Sequence, residues 1–181
     1  HRYYQNFEQI NGGRNDRYAA VSDAGGFVMA YYDGSKLPMW QWARDFVLAD
    51  NFFMAAHGDS FINHQWLICA CTPRDEAAPA SLRAQVDERG WLKRRPDSPA
   101  SARDGDLRLF DGSVTPDGYV VNSAVPPYQP SAVPPAAGGD PRFTDPSKYT
   151  LPPQTTKTVG DTLSAKGISW VWFAGGWNAA L

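Results

Sequence analysis

The sequence predicts an α/β fold, and three observations carry that prediction. Residues 37–70 read as a helix, an apolar run, a small-residue turn and a second helix. Residues 158–173 repeat the step, with a helix followed by a tryptophan-rich apolar run. Between them, residues 73–155 are rich in proline, alanine, glycine and aspartate and read as one long insertion. A length of 181 residues fits one domain better than two.

The first helix is expected over Leu37–Phe46. Ser35 is its expected cap, and Pro38 is tolerated there only in the first turn. Met39, Trp42, Ala43 and Phe46 recur at helical spacing and predict one buried face. Val47-Leu48-Ala49 and Phe52-Phe53-Met54, separated by Asp50-Asn51, predict a buried strand. Ala55-Ala56-His57-Gly58-Asp59 suits a turn. Ser60 then opens a second helix over Phe61–Ala70, which stops before Pro73.

The middle stretch holds every proline except Pro38, and Ser113–Gly139 contains no Lys or Arg. Two readings stand: an insertion loosely folded across the surface, or a lid over a substrate. Leu107–Phe110 and Gly118–Val121 are candidates for a small hairpin. Thr158–Lys166 reads as a helix closed by Gly167. Ile168–Phe173 reads as a buried strand, and Ala174–Trp177 as a turn. The seven tryptophans read chiefly as core mass.

Composition narrows the function classes. Hydrophobic residues make up 43% and charged residues 20%, which is a globular balance. A net charge of -2 with no basic stripe argues against nucleic-acid binding. No apolar run reaches the length of a membrane span. His1-Arg2-Tyr3-Tyr4-Gln5 lacks the apolar core of a signal peptide. Cys69 and Cys71 stand two apart in an expected helix, where that spacing does not bring side chains face to face. A disulfide between them is geometrically poor, two sulfurs fall short of a zinc site, and both read as small core residues.

The chemistry concentrates in Gly58-Asp59-Ser60-Phe61-Ile62-Asn63-His64. A serine at the junction of turn and helix meets unpaired backbone N–H groups and the positive end of the helix dipole, so an anion is stabilised there. The competing reading makes Ser60 a helix cap, a role serine fills well. Asn63 and His64, one turn on, put polar groups at the same mouth; otherwise they are a hydrogen-bonded pair on a half-exposed face. Serine is a weak nucleophile and needs a base or a metal. The Gly-Asp-Ser string resembles that of GDSL-type esterases, which expect a downstream Asp and His. This chain has no histidine beyond His64, so a Ser-His-Asp esterase ranks below a metal-activated serine. Asp50, Asp59 and Asp161 read as caps or turn residues rather than metal ligands.

These motifs together resemble the bacterial phosphoesterase family of acid phosphatases and phospholipases C. The resemblance rests on Gly26–Asp33 with Leu37-Pro38, Leu48–Phe53, Ser60-Phe61-Ile62-Asn63-His64, the Asn11-Gly12-Gly13-Arg14-Asn15-Asp16 element, and Thr162–Trp170 with Phe173–Gly176. Asn63–Trp66 through Cys71-Thr72-Pro73 is similar to the acid phosphatase branch. The resemblance implies an alkaline-phosphatase-like sheet flanked by helices. It also implies a divalent metal ion coordinated by Ser60, with Ser60 as nucleophile and Asn63 and His64 as substrate-binding residues. The family's upstream and downstream metal ligands have no counterpart here, so the chain is expected to be a partial domain carrying the nucleophile. The expected function is a phosphomonoesterase acting through a phosphoserine on a small phosphate ester. The alternatives are a phospholipase C acting on phosphodiesters or phospholipid head groups, and a non-catalytic fragment. The resemblance implies a periplasmic or secreted protein.

Overall fold

The computed structural model describes residues 2–101 and 103–173. Four α-helices are described: α1 Tyr3–Ile10, α2 Pro38–Asp45, α3 Ser60–Cys69 and α4 Val159–Ala165. Short 3-10 turns lie at Asn11–Gly13, Gly25–Met29 and Ala80–Leu82. None of the described helices is long and apolar enough to cross a membrane. Backbone pairing outside the helices is confined to isolated bridges.

Helix α1 buries Tyr4 and Glu8, four residues apart on one face, together with Gln9. It is anchored at its start: the Tyr3 N–H donates to Asn122 Oδ1 at 2.8 Å, and the Arg2 guanidinium pairs with Asp111. The helix ends at Asn11, in the left-handed region with φ 47°. The Asn11 side chain then closes its own motif. Its amide donates to Asp16 Oδ1 at 2.8 Å, and its carbonyl oxygen accepts from Arg14 at 2.8 Å.

Helix α2 begins with Pro38 at its first position, where the missing N–H costs no hydrogen bond. Leu37 stands at the cap and offers no side-chain bond. The expected cap, Ser35, instead donates its backbone N–H to Asp33 Oδ1 at 2.9 Å. The apolar face of Met39, Trp42 and Phe46 forms, and Trp42 stacks on Phe46, but none of the helix is buried.

The two expected strands also differ from expectation. Val47–Met54 is irregular, with a turn at Asp50-Asn51, and exposed throughout, with Phe52 at 87%. Ile168–Phe173 is likewise exposed and unpaired. A strand is stable only when a neighbour takes up its N–H and C=O groups, and no bridge among the described residues reaches either run. Helix α4 forms as expected, with a capping box between Thr158 and Asp161 and Gly167 at φ +67° after its end. It lies against α3. The expected turn at Ala174–Trp177 lies outside the described residues.

The core sits in the proline-rich middle. One cluster joins Tyr4 of α1 to Ala84 and Leu92. The other joins Ala78, Val114 and Val120, with Phe61 of α3, Leu82, Tyr149 and Leu151 packed around it. The loosely folded insertion of the sequence reading is therefore corrected. Pro96, Pro116, Pro141 and Pro146 occupy turns, and short stretches of the segment bond to one another: Ala84 N–H to Val114 O at 2.8 Å, Val114 N–H to Leu82 O at 3.0 Å, and Val120 N–H to Pro73 O at 2.8 Å. Gly112 is needed at this crossing, because a Cβ there would collide with the backbone of Leu82 and Ala84. The expected hairpin is corrected too. Leu109 pairs with Arg94, and Val120 pairs with Val114.

The cysteine reading fails for a specific reason. Cys69 and Cys71 form a disulfide with their Cα atoms 5.1 Å apart. Only in a continuous helix does this spacing keep the two side chains apart. Helix α3 stops at Cys69, and Ala70 turns left-handed at φ 49°, which swings Cys71 back beside Cys69.

Candidate functional site

The local sequence builds a capped helix start in which the serine is not the cap. Asp59 takes that position, and its Oδ1 accepts from the Ile62 N–H at 3.4 Å. The Asp59 carbonyl accepts from the Asn63 N–H at 3.4 Å. Ser60 is the first helical residue, and it is exposed. Its own N–H and that of Phe61 have no partner among the described residues. Two free amides therefore stand beside an exposed hydroxyl at the positive end of a ten-residue helix.

Ser60, His64 and Leu67 occupy positions i, i+4 and i+7 and make one exposed face of α3. The other side is committed to the core. Ile62 is 3% exposed, and Phe61 packs on the Val114–Val120 cluster. His64 thus shares the face of Ser60, one turn away.

Asn63 is placed differently. Its amide nitrogen donates to Ala56 O and Asp59 O, both at 3.0 Å, while its carbonyl oxygen accepts from the Ala56 N–H at 3.2 Å. The side chain fastens the 56–59 turn to the helix, as a backbone bridge would. It has one acceptor lone pair to spare and no free donor toward Ser60.

The turn itself rests on residues distant in sequence. Ser123 Oγ donates to Asp59 Oδ2 at 3.4 Å across 64 positions. Gly58 has φ 137°, and a Cβ on it would press against Ile62 and Tyr3. Its freedom serves close packing by the chain itself. Neighbouring Asn122, 2% exposed, donates to Gly112 O at 2.7 Å and accepts from Tyr3 N–H. Residues 120–123 are therefore the platform under the 56–59 turn. Sequence reasoning missed Asn122 and Ser123. Their only signal is a polar pair directly after the apolar Val120-Val121.

His57 closes the underside. Its ring lies 4.4 Å from Phe7 and 5.6 Å from Tyr3, between centroids, and its Nε2 is buried without a hydrogen-bond partner among the described residues. Burial holds its pKa below the ordinary imidazole value. Burial also pushes the Tyr4 hydroxyl up to about 12, with Tyr3, Asp117 and Asp111 adding to the shift.

Among the described residues, no three His, Cys, Asp or Glu side chains come together that could hold a metal ion. Asp59 is spent on the cap and on Ser123, and Asp161 on its capping box. Among the described residues, the donor set for a divalent ion is thus not assembled around Ser60.

An exposed hydroxyl beside free helix N-terminal amides suits a hydrolase of anionic esters. The chain belongs to the phosphoesterase family, whose model matches residues 1–181. It is, in general terms, a hydrolase of phosphate esters, with a small phosphate ester as substrate. No curated protein and no solved structure matches it.

Proposed function

We propose that the chain is a phosphomonoesterase of the acid phosphatase type in which Ser60 attacks phosphorus. The observation that carries this reading is the cap. Asp59 supplies it, so Ser60 keeps its hydroxyl beside two unpartnered N–H groups. Ser60 Oγ forms the bond to phosphorus as the ester P–O bond breaks. The proton from Oγ balances the one gained by the departing alcohol. The Ser60 and Phe61 amides take the phosphoryl oxygens, which carry negative charge throughout. Water then attacks the phosphoserine, releasing phosphate and restoring the hydroxyl. His64, on the same exposed face, binds the substrate phosphate. Asn63 holds the turn that fixes Ser60.

The family likeness adds three elements to the proposal. One is an alkaline-phosphatase-like α/β arrangement. Another is a divalent metal ion held in part by Ser60. The last is a periplasmic or secreted location, which the Cys69–Cys71 disulfide supports, since such bonds persist in oxidising compartments.

The test is hydrolysis of a chromogenic phosphate monoester and a phosphocholine diester in parallel, with chelator and with added divalent ions. Faster turnover of the monoester is expected, lost by at least about a thousandfold in Ser60→Ala. Acid-quenched samples should carry phosphate on Ser60. Activity lost on chelation and regained with a divalent ion supports the metal. Undiminished turnover by Ser60→Ala would end the proposal.

A further inference from the structure

The Cys69–Cys71 disulfide joins positions that the fold already holds together. Cys69 is the last residue of α3, and the Ala70 N–H bonds back to Trp66 O at 3.0 Å. Trp66 Nε1 donates to Thr72 Oγ1 at 3.1 Å across the same loop. The two cysteines are separated by only 2 positions in sequence. A cross-link constrains the unfolded chain by the length of loop it closes, so this one contributes little to stability. What it ties to α3 is the loop that enters the core at Pro73.

Its surroundings suit exchange better than bracing. Neither cysteine is fully buried. Cys71 lines an open cleft of about 630 Å³ with Trp66, Thr72, Arg74 and Tyr119. The loop also leads directly into the core, since Pro73 O accepts from Val120 N–H at 2.8 Å. The disulfide therefore sits where the Ser60 helix enters the buried part of the molecule. Its other end is held by Asp59 and Ser123.

We infer that this disulfide is a thiol-exchange site, opened from the cleft by a small dithiol and closed by oxidation, and that its state sets how the Ser60 helix is tethered to the core. The thiolate of the dithiol attacks Cys71 Sγ. The electron pair of the Cys69–Cys71 bond passes to Cys69 Sγ, which is protonated from water. The second thiolate of the dithiol then attacks its own first sulfur and releases Cys71 as a thiolate. The protein gains two electrons, and the dithiol becomes a cyclic disulfide. The exchange itself is independent of the proposed chemistry of Ser60; its effect on turnover rests on that reading.

The experiment treats the native protein with reduced dithiothreitol, alkylates it without denaturant and counts adducts by mass spectrometry. No adduct is expected before reduction and two after it, with none once oxidised dithiothreitol has been applied. The helical circular dichroism should stay unchanged. Tryptophan emission should shift on reduction, and the shift should vanish in Trp66→Phe. The double variant Cys69→Ser with Cys71→Ser should emit like the reduced protein whatever the reagent. Adducts before reduction, resistance until denaturant is added, or loss of helix on reduction would each overturn the exchange site. Emission of the double variant matching the oxidised protein would overturn the tethering. Turnover of the chromogenic monoester should differ between oxidised and reduced wild type and not respond in the double variant. If no form turns over, the adduct count still decides the exchange site, and only the Ser60 reading falls.

Discussion

Residues 27–54 and residues 73–153 invert what their compositions announce. The first stretch carries Phe27, Met29, Tyr31, Tyr32, Met39, Trp42, Phe46, Phe52 and Phe53, and every one of them is exposed. The second carries fourteen of the fifteen prolines, and it contains Val114 and Val120 with no exposed surface at all. The difference is one of backbone partners. In the second stretch, residues 82–84, 113–114 and 120–121 exchange N–H···O=C bonds with one another. Their side chains are carried into a common interior as a consequence. The first stretch has an apolar face, but among the described residues its backbone bonds only locally and to no distant segment. Apolar composition sets what would gain from burial; pairing decides what is buried.

The sharpest way to break that comparison is a pair of truncations. Val114→Ala should lower the urea unfolding free energy by about 2–3 kcal/mol, since the cavity it leaves has no route to solvent. Phe52→Ala removes a larger side chain and should change stability by no more than about 0.5 kcal/mol. Equal losses at the two positions would show that residues 27–54 are packed.

Asn63→Ala should cost about 2 kcal/mol, because it removes the three bonds to Ala56 and Asp59. It should also slow monoester turnover by about tenfold through displacement of Ser60, with KM little changed. A rise in KM at constant kcat would instead assign Asn63 to substrate binding, the role expected of it from the resemblance. Asp59→Ala should cost about 1 kcal/mol through loss of the cap, and Asp59→Asn should restore most of it. The pair separates capping, which Asn can do, from charge, which it cannot supply.

The site was more legible than the fold around it. Gly58–His64 was readable because turn and helix start are local, and each residue type has a fixed preference there. Which residue was the cap was not readable. Asp59 and Ser60 are both good caps, and the choice depends on Ser123, which binds Asp59 from 64 positions away. Helices α2, α3 and α4 were legible from periodicity, Pro38 and Gly167. The disulfide was not, because its geometry follows from one left-handed residue, Ala70, whose sequence gives no reason to leave the helix. The core was hidden by its own prolines. They rule out helix and long strand, and neither is needed for single bridges such as Val114 with Val120. The family was legible from motifs spread across the chain, which hold their spelling even where their burial cannot be foreseen.

The smallest expected effect concerns the contact between α1 and the 56–59 turn, made at His57. Its Nε2 is buried between Phe7 and Tyr3 without a partner among the described residues, and burial lowers its pKa from 6.5. The folded state therefore resists protonation that the unfolded chain accepts freely. The associated stability is present above pH 6.5 and is lost as the pH falls through the lowered folded value, since the unfolded state binds more protons over that window. His57→Phe keeps an aromatic ring against Phe7 and Tyr3 and removes the titration. Urea midpoints measured between neutral and mildly acidic pH should fall less steeply in this variant than in the wild type. Parallel slopes would mean that His57 titrates as it would in water, and that the turn beneath Ser60 is open to solvent from the α1 side.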